Sequence, residues 1–252
     1  MCTLAIYLQA FEEWPVVIGA NRDEFFSRPA LGPQCLGDKP RIVGGRDLSA
    51  GGTWLGINEH GLIAGLLNRS DRRAADPKRR SRGLLCLDVL QSATLGQARE
   101  LAARVRADQY NPFNLLAASR DGAFVAYTRG AQIESVELTP GFHLLTNQDV
   151  DDFECPKISR GYNRFAALLQ VPGFAADPPG HHRELGQLLA DHSSDQDSRA
   201  GHPTAICVHR PGYGTRSSSL IFLPRRAGAD ALHFFAPGPP CVTPYARVAI
   251  TP

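Results

Sequence analysis

The order of the elements predicted along the chain indicates an α+β fold in one layered domain. Strand-like runs come first and are followed by helices, strands, helices and strands. This order favours helices that cover packed antiparallel sheets over an alternating parallel β/α arrangement. The chain has 252 residues, 43% of them hydrophobic, which is enough to bury a core without disulfide bonds. No repeat or linker divides it, so we expect a single domain over residues 1–252.

The first predicted elements are two hairpins of short strands. β-Branched and aromatic residues bounded by turn residues predict strands at Thr3 to Leu8 and Val16 to Ala20. A second hairpin is predicted from residues 53–57 and 62–67. Between the two hairpins, residues 29–52 contain many Gly and Pro residues, which predicts a loop with short extended pieces.

The remaining elements show helical or alternating periodicity. Leucines at helical spacing predict a helix over residues 84–90, and Thr94 followed by Gln97 forms a capping box at the start of the next helix. Two further helices are predicted over residues 159–169 and 182–190. The later strands are predicted at residues 113–118, 123–128, 133–138, 142–146, 205–209, 217–223 and 231–235.

Composition and charge exclude several classes of protein. The 27 Lys and Arg residues nearly balance the 25 Asp and Glu residues, and the net charge of +2 argues against a nucleic-acid-binding protein. No segment approaches the about 20 apolar residues of a membrane span, and no signal-peptide pattern is present. The six cysteines show no paired spacing, so we expect reduced thiols and a cytoplasmic location.

Common motifs for metal, nucleotide and serine-hydrolase sites are missing from the sequence. There is no His-Glu-x-x-His, no Walker lysine, no Gly-x-Ser-x-Gly and no dinucleotide-binding glycine pattern after a strand. The histidines lie in polar or Pro/Gly-rich sequence without the spacing of metal ligands. We therefore expect no metal site.

Cys2 is the first indication of chemistry. If Met1 is removed, the thiol and the new α-amine belong to one residue. An α-amine titrates near about 7.7 to 8.0 and can act as a general base close to neutral pH. Cys2 would then be an N-terminal nucleophile that needs no separate histidine. The alternative interpretation is a small residue at the start of a strand.

A polar group of four residues, Asn21 to Glu24, follows the apolar part of the second strand. Strand alternation places Asn21 and Asp23 on one face and Arg22 and Glu24 on the other. In a catalytic interpretation, Asp23 holds the α-amine of residue 2, and Arg22 holds the thiolate or a substrate carboxylate. In the alternative interpretation, the charges form a structural salt-bridge cluster that closes the hairpin.

A basic segment lies between the second hairpin and the first helix. From Arg69 to Arg82 it carries seven basic and two acidic residues and almost no apolar ones. Two interpretations stay open: a solvated surface loop, or a segment that binds a negatively charged ligand.

Taken together, an ordered set of motifs over nearly the whole chain resembles the NRDE family, also called the transport and Golgi organisation protein 2 family. The motifs are Cys2, Asn21-Arg22-Asp23-Glu24-Phe25, Ser27-Arg28-Pro29, Gly51-Gly52-Thr53-Trp54-Leu55-Gly56, Leu67-Asn68, Ser81-Arg82-Gly83, Tyr110-Asn111-Pro112-Phe113-Asn114, Thr146-Asn147 and Arg210-Pro211-Gly212-Tyr213-Gly214-Thr215-Arg216. That family in turn resembles the N-terminal-nucleophile hydrolases, which include choloylglycine hydrolases and penicillin V acylases. The resemblance implies an α+β fold of the four-layer αββα sandwich type.

The resemblance also implies roles for six residues, which come from five of those motifs. They are Cys2 as nucleophile, Asp23 orienting its amine, Arg22 beside the thiol, Asn68 and Asn147 as oxyanion-hole or amine-orienting groups, and Arg216 as a late basic residue near the nucleophile. Family members often carry Trp-Pro-Lys after the Thr-Asn motif, where this chain has Cys155-Pro156-Lys157.

Two hypotheses of function follow from the residues and the resemblance. The first is a cysteine hydrolase or acyl-transfer enzyme acting on a non-peptide amide or thioester, with no cofactor required. The second, which the resemblance implies, is a non-catalytic protein of the same fold that binds and carries haem, acyl-CoA or lipid. The basic segment from Arg69 to Arg82 would then meet haem propionates or coenzyme A phosphates. In that case the candidate axial ligands of haem are Cys155, His143, His202 and His209. Under either hypothesis the ligand is a small molecule.

Overall fold

The computed structural model describes residues 2–70, 74–193 and 204–249. Within these ranges the chain separates into two compact units. The first unit consists of the segment that ends at Ser27, Pro140–Thr146 and Val150–Ala249, and the second of Arg28–Thr139 and Asn147–Asp149. The expectation of one domain over residues 1–252 stays a prediction.

The strands and helices are numbered here in chain order. They are β1 Thr3–Leu8, β2 Val16–Phe25, β3 Ala30–Asp38, β4 Arg41–Asp47, β5 Leu55–Asn58, β6 Ile63–Asn68, α1 Arg82–Leu90, α2 Leu95–Ala103, β7 Phe113–Ser119, β8 Gly122–Arg129, β9 Gln132–Leu138, β10 Gly141–Leu145, α3 Pro156–Ala166, α4 Pro172–Ala176, α5 His182–Leu189, β11 His209–Arg210, β12 Tyr213–Leu223, β13 Leu232–Ala236 and β14 Ala246–Arg247. Short 3₁₀ turns occupy Ala107–Gln109 and Ala167–Gln170.

The first unit contains one antiparallel sheet in the order β10-β1-β2-β12-β13-β14, with β11 paired to β12. Strands β1 and β2 form the predicted hairpin, in which Thr3 pairs with Asn21 and Leu8 with Val16. Strand β2 then continues five residues beyond the predicted end, through the polar group at residues 21–24. Because β2 lies between β1 and β12, its backbone groups are paired on both sides.

Helices α3, α4 and α5 pack on this sheet, and an apolar core lies between the helices and the sheet. Phe165 of α3, Phe174 of α4 and Leu185 of α5 are all buried together with Tyr7 and Phe222 of the sheet. The Tyr7 hydroxyl donates to the Phe165 carbonyl oxygen at 2.7 Å, so its polar end is satisfied inside the core. Complete burial of each such side chain contributes about 1.5–3 kcal/mol.

The second unit contains an antiparallel meander in which β3 to β9 follow in chain order. Helices α1 and α2 bury one apolar side against it, through Leu85 and Val89 of α1 and Ala98 of α2. The N-cap bond of the predicted capping box is present, because Gln97 N donates to Thr94 Oγ1 at 3.2 Å, while the return bond goes to the residue before the cap. The Gln97 side chain accepts in return from Ala93 N, at 2.9 Å. The first turn of α2 is therefore held from both directions.

Two predicted elements are wrong. Residues 29–52 are not mainly a loop, because β3 and β4 occupy most of this segment. The register of β3 against β4 shifts between Leu31 and Gln34, where Pro33 lies, and β3 is an edge strand, where proline is tolerated. The strand predicted at residues 205–209 is reduced to His209–Arg210. Ile206 to Val208 are buried outside the sheet, so their apolar run reflects burial alone.

The other predicted elements are confirmed within a few residues at their ends. The largest differences are in β2, which ends five residues later than predicted, and in β12, which begins at Tyr213. Helix α3 begins at Pro156 and ends at Ala166, because the next four residues form a 3₁₀ turn. Among the described residues, no helix has the length and apolar character needed to cross a bilayer.

Candidate active site

The polar residues at the start of the chain lie at one end of the sheet of the first unit. Cys2 directly precedes β1, and the end of β2 beside it carries Arg22 and Asp23. On the other side of β2, Thr215 pairs with Asp23, and the register shifts before Ser217. This bulge leaves Arg216 as the extra residue of β12. A bulge of this kind changes the direction of side chains next to it.

The Asp23 carboxylate is buried, and Thr215 and Lys157 are among its partners. Thr215 Oγ1 donates to Asp23 Oδ1 at 2.6 Å, and Lys157 Nζ lies 3.6 Å from Asp23 Oδ2. The ammonium of Lys157 also donates to Thr3 Oγ1 at 3.1 Å. Both charged side chains are 0% exposed. An isolated buried charge is very costly, so this pair and its hydroxyl partners depend on one another.

The Cys2 thiol lies on the backbone of the same aspartate. Its Sγ is 3.7 Å from the Asp23 carbonyl oxygen, to which the Tyr213 hydroxyl also donates, at 3.3 Å. Burial and then the negative charge of Asp23 raise the pKa of the Cys2 thiol, while the Arg22 guanidinium acts in the opposite direction. Burial, followed by the charges of Cys2 and Asp23, also raises the pKa of Tyr213. A thiol in this environment stays protonated at neutral pH unless a nearby base takes its proton.

The alternation predicted for residues 21–24 is present. Asn21 Nδ2 donates to the carbonyl oxygens of Leu189 and Ile206, at 2.8 and 3.1 Å. Asp23 reaches Lys157 of α3, so both side chains point to the helical side of the sheet. Arg22 points to the opposite face, where its Nη2 lies 4.0 Å from Glu24 Oε2.

The two predicted asparagines lie in the second unit and are joined to each other. Asn147 Nδ2 donates to the Asn68 carbonyl oxygen at 2.8 Å, and the Asn147 carbonyl accepts from Ser70 N at 2.8 Å. Within the described residues, the buried Oδ1 of Asn147 has no hydrogen-bond partner. The role of either asparagine towards Cys2 stays a prediction.

Arg216 is bound on the first unit by a neighbouring loop. Its Nη1 donates to the Phe26 carbonyl oxygen at 3.0 Å, and its guanidinium lies 5.8 Å from the centre of the Phe26 ring. The bulge thus sets Arg216 next to the residues that pair with Asp23 and Arg22. Its action on the nucleophile stays a prediction.

Sequence reasoning missed Lys157, Thr215 and Tyr213 as members of this cluster. Thr215 and Tyr213 stood inside a motif that carried the family resemblance, and Lys157 ends the Cys-Pro-Lys tripeptide that replaces Trp-Pro-Lys. The signal that the sequence offered for Lys157 was its position at the start of a helix. Its burial depends on the packing of α3 against β2, which periodicity does not reveal.

A second cluster of side chains in the first unit was also missed. His192, Cys207, His209 and Cys241 place their ligand atoms within 4.8 Å of one another. Cys207 Sγ lies 3.7 Å from Cys241 Sγ and 3.5 Å from His209 Nε2, and His209 Nε2 lies 3.3 Å from Cys241 Sγ. The sequence spacing of these residues follows no metal motif, and the expectation of no metal site rested on that spacing.

The basic segment is bound to its own unit by all four of its described arginines. Arg69 pairs with Asp149 at 2.6 Å and donates to Asn114, and Arg79 donates to the Tyr110 carbonyl. Arg80 binds the Asp88 carboxylate and the Tyr110 hydroxyl. Arg82 donates to the Pro112 carbonyl oxygen. These contacts fit a structural role better than a binding site for phosphates or propionates.

The candidate haem ligands do not fit that group well. Cys155 is buried in the apolar core, with its Sγ 3.6 Å from Thr146 Oγ1. The His143 ring is 12% exposed and binds Asp151 through Nδ1 at 2.6 Å. His209 belongs to the cysteine–histidine cluster, and His202 lies outside the described residues. An axial ligand needs a ring nitrogen or sulfur that is open to the haem face.

A family model described as "Transport and Golgi organisation 2" matches residues 1–232. The chain belongs to that family. A human protein named "Transport and Golgi organization protein 2 homolog" is 29% identical over 226 residues, covering 82% of both chains. The family resemblance seen in the sequence is confirmed.

Solved structures show which fold this family member adopts. A penicillin V acylase from Agrobacterium tumefaciens matches 94% of this chain and 83% of its own, with a TM-score of 0.56 and 14% identity. A mutant conjugated bile acid hydrolase from Clostridium perfringens matches 100% of this chain and 97% of its own, with a TM-score of 0.53 and 10% identity. The predicted fold class, an α+β sandwich of the N-terminal-nucleophile hydrolase type, is confirmed.

Proposed function

We propose that the protein is a cysteine-dependent hydrolase or acyl-transfer enzyme acting on a non-peptide amide or thioester. The observation that carries the proposal is the position of Cys2 at the start of β1. Its thiol rests on the Asp23 carbonyl oxygen, and the carboxylate of that aspartate is buried against Thr215 and Lys157. The strand fixes the direction in which the nucleophile points, and the charged group beside it fixes the electric field at its sulfur.

The chemistry needs the α-amine of Cys2 and therefore the removal of Met1. The amine takes the thiol proton, and the sulfur forms a bond to the carbonyl carbon of the substrate. The bond from that carbon to the leaving amine or thiol then breaks, and the leaving group takes the proton from the amine. Water or a second nucleophile cleaves the acyl-cysteine, which releases the acid or the transferred product and restores the thiol.

The raised pKa of the Cys2 thiol agrees with this need for a base. At neutral pH the half-buried thiol gives up its proton only to a group held against it, and its own α-amine satisfies that condition by covalent attachment. We assign to Asp23 the orientation of this amine and to Arg22 the stabilisation of the thiolate. Asn68 and Asn147 are the proposed oxyanion donors, a role worth about 2.7–4 kcal/mol for one donor in other hydrolases. Arg216 is the proposed late basic residue near the nucleophile.

The substrate class rests on the fold neighbours and on the residues together. The two solved neighbours are named as an acylase and a hydrolase of a conjugated bile acid, and both names point to acyl chemistry. The small-molecule ligand of this chain is accordingly an acyl amide or acyl thioester. The spacing of the six cysteines supports a cytoplasmic location, which cell fractionation with a tagged chain would test.

The test is intact mass of the purified protein before and after brief treatment with a thiol alkylator, with the labelled site mapped. We expect loss of Met1 and alkylation of Cys2 faster than that of the exposed Cys35. The rate at Cys2 should rise with pH through the titration of an α-amine, near about 8. Asp23→Asn should slow the labelling of Cys2 and leave Cys35 unchanged.

The matched control is Cys2→Ser, which removes the fast label and keeps the slower one at Cys35. Retained Met1, or a Cys2 that reacts more slowly than Cys35, would contradict the proposal. Haem and acyl-CoA titrations would then test the non-catalytic hypothesis. A protein that passes the labelling test goes on to a screen of acyl amides and acyl thioesters, in which Cys2→Ala must lose all turnover.

A further inference from the structure

Four side chains from three separate segments of the first unit meet at one point. His192 lies shortly after α5, Cys207 and His209 flank the start of β11, and Cys241 follows β13. Cys207 is buried, Cys241 is half-buried and the two histidines are exposed. The His192 and His209 rings are stacked with centres 4.8 Å apart. The group therefore combines two sulfur and two imidazole ligands at the edge of the protein, where an ion can enter.

The distances within the group agree with a tetrahedral metal ion. Zinc binds sulfur at about 2.3 Å and histidine nitrogen at about 2.0–2.1 Å. In a regular tetrahedron these lengths place two sulfurs about 3.8 Å apart and a sulfur and a nitrogen about 3.6 Å apart. The observed separations are 3.7 Å for Cys207 Sγ to Cys241 Sγ and 3.5 and 3.3 Å for the two sulfurs to His209 Nε2. Three ligand atoms already outline one face of the tetrahedron.

We propose that His192, Cys207, His209 and Cys241 bind one Zn²⁺ ion. Two thiolates and two imidazoles form a ligand set that Zn²⁺ prefers, and they select against Mg²⁺ and Ca²⁺, which need oxygen ligands. Four ligands from the chain fill the coordination sphere, so the site is structural and leaves no position for a substrate. The fourth ligand, His192, has a ring nitrogen within 4.8 Å of the other three ligand atoms. Its exposed ring must leave the stacked arrangement with His209 to complete the tetrahedron.

The ion would hold the segment that positions Asp23. Val208, between two of the ligands, exchanges hydrogen bonds with Thr215: Val208 N donates to Thr215 Oγ1 at 2.9 Å, and Thr215 N donates to Val208 O at 2.8 Å. The Thr215 hydroxyl in turn donates to Asp23 Oδ1. Cys207 N also donates to the carbonyl oxygen of Asp191, next to His192. Zinc would therefore tie the end of α5, β11 and the chain after β13 together behind Asp23.

The test uses the untagged full-length chain, reduced and stripped of metal with a chelator, and titrated with Co²⁺ and then Zn²⁺. We expect one Co²⁺ per chain, with sulfur-to-cobalt charge transfer and the d–d bands of a tetrahedral site, and displacement by one Zn²⁺. Zn²⁺ should also raise the melting temperature of the metal-free protein, because it binds the folded state.

Single substitutions distinguish a specific four-ligand metal site from nonspecific metal binding. Cys241→Ser and His192→Ala remove ligands that are half-buried or exposed, so both should fold, and each should lose the cobalt bands or weaken Co²⁺ binding by at least about 10–100-fold. Cys35→Ser and His60→Ala remove an exposed cysteine and an exposed histidine of the second unit, and they should bind as the unchanged chain does.

Three results would overturn the proposal. The first is no tetrahedral cobalt spectrum from the reduced chain. The second is a spectrum and affinity unchanged in Cys241→Ser. The third is a disulfide between Cys207 and Cys241 in the purified protein, together with no metal binding by these two thiols after the disulfide has been reduced. Because none of these measurements depends on turnover, they give their answer whether or not Cys2 proves to be catalytic.

Discussion

In the first unit the motif at residues 21–25 places charged side chains inside a sheet, whereas in the second unit the motif at residues 51–56 places glycines and an indole against backbone. Asp23 is buried with Lys157 and two hydroxyl groups. The Gly51-Gly52-Thr53-Trp54 segment shows no such charge: a Cβ on Gly52 would lie 2.2 Å from the carbonyl carbon of Gly83. The motifs look equally distinctive in the sequence.

This difference shows that a distinctive motif does not by itself indicate chemistry. A buried ion pair is costly unless every member is present, so its retention in the first unit needs a reason beyond stability. A glycine that touches another backbone segment is needed for the fold alone. We therefore look for the nucleophile and its charged partners in the first unit and for conformational constraint at Gly52, and three predictions test that division.

The largest effect is expected from Lys157→Met. The substitution keeps a long apolar side chain but leaves the Asp23 carboxylate buried without its cation. Breaking a buried pair in this way lowers the free energy of unfolding by about 3–5 kcal/mol. Urea unfolding at pH 7 would measure the change.

The matched control is the double variant Lys157→Met with Asp23→Asn, which removes both charges. It should recover most of the loss, because the cost comes from the uncompensated charge rather than from the missing contact. Equal destabilisation of the single and double variants would mean that the pair has no special electrostatic role, and the contrast between the units would fail.

The next prediction concerns the pH dependence of stability and a buried histidine of the first unit, His233. His233 of β13 is 1% exposed, and neither ring nitrogen has a hydrogen-bond partner within the described residues. Burial lowers the pKa of His233 from 6.5 to about 4. Between these values the unfolded chain binds more protons than the folded one, so stability falls as the pH decreases from about 6.5 to about 4.

The loss attributable to this histidine is about 3 kcal/mol at pH 4 and below, and none above pH 7. His233→Leu should remove that part of the acid dependence, as measured by urea unfolding at pH 7.5, 6 and 5. His60→Gln, at a side chain 42% exposed, serves as the control and should leave the slope unchanged. A His233→Leu protein with the full original slope would assign the acid sensitivity to the carboxylates.

Much of the fold was predictable because its signals are local. The β1–β2 hairpin, the capping box at Thr94 and the α+β order all depend on neighbours within a few residues. The predictions at β3 and at residues 205–209 were wrong because tertiary structure, rather than local sequence, decides these segments. Gly and Pro in β3 are tolerated by an edge strand with register shifts, and residues 206–208 are apolar because tertiary packing buries them.

The site divides in the same way. Cys2 and the group at Asn21 to Glu24 were recognised because strand pairing places them together and their pattern is contiguous. Lys157 and the cysteine–histidine cluster were missed because their partners are distant in sequence: 134 residues separate Asp23 from Lys157 and 34 separate Cys207 from Cys241. A sequence pattern reports side-chain types, but only the folded chain reports which of them meet.

The smallest effect is expected from Gly52→Ala in the second unit. The added methyl would meet the Gly83 backbone, and because Thr53 N donates to Gly83 O at 3.1 Å the two segments cannot separate freely. Such overpacking lowers the free energy of unfolding by about 1–3 kcal/mol. Gly96→Ala in α2 is the matched control: its nearest neighbour would be Thr94 Oγ1 at 3.8 Å, so it should be neutral or stabilising by up to about 1 kcal/mol. If Gly52→Ala instead leaves stability unchanged and alters the labelling of Cys2, the motif acts in the chemistry, and the division between the two units is wrong.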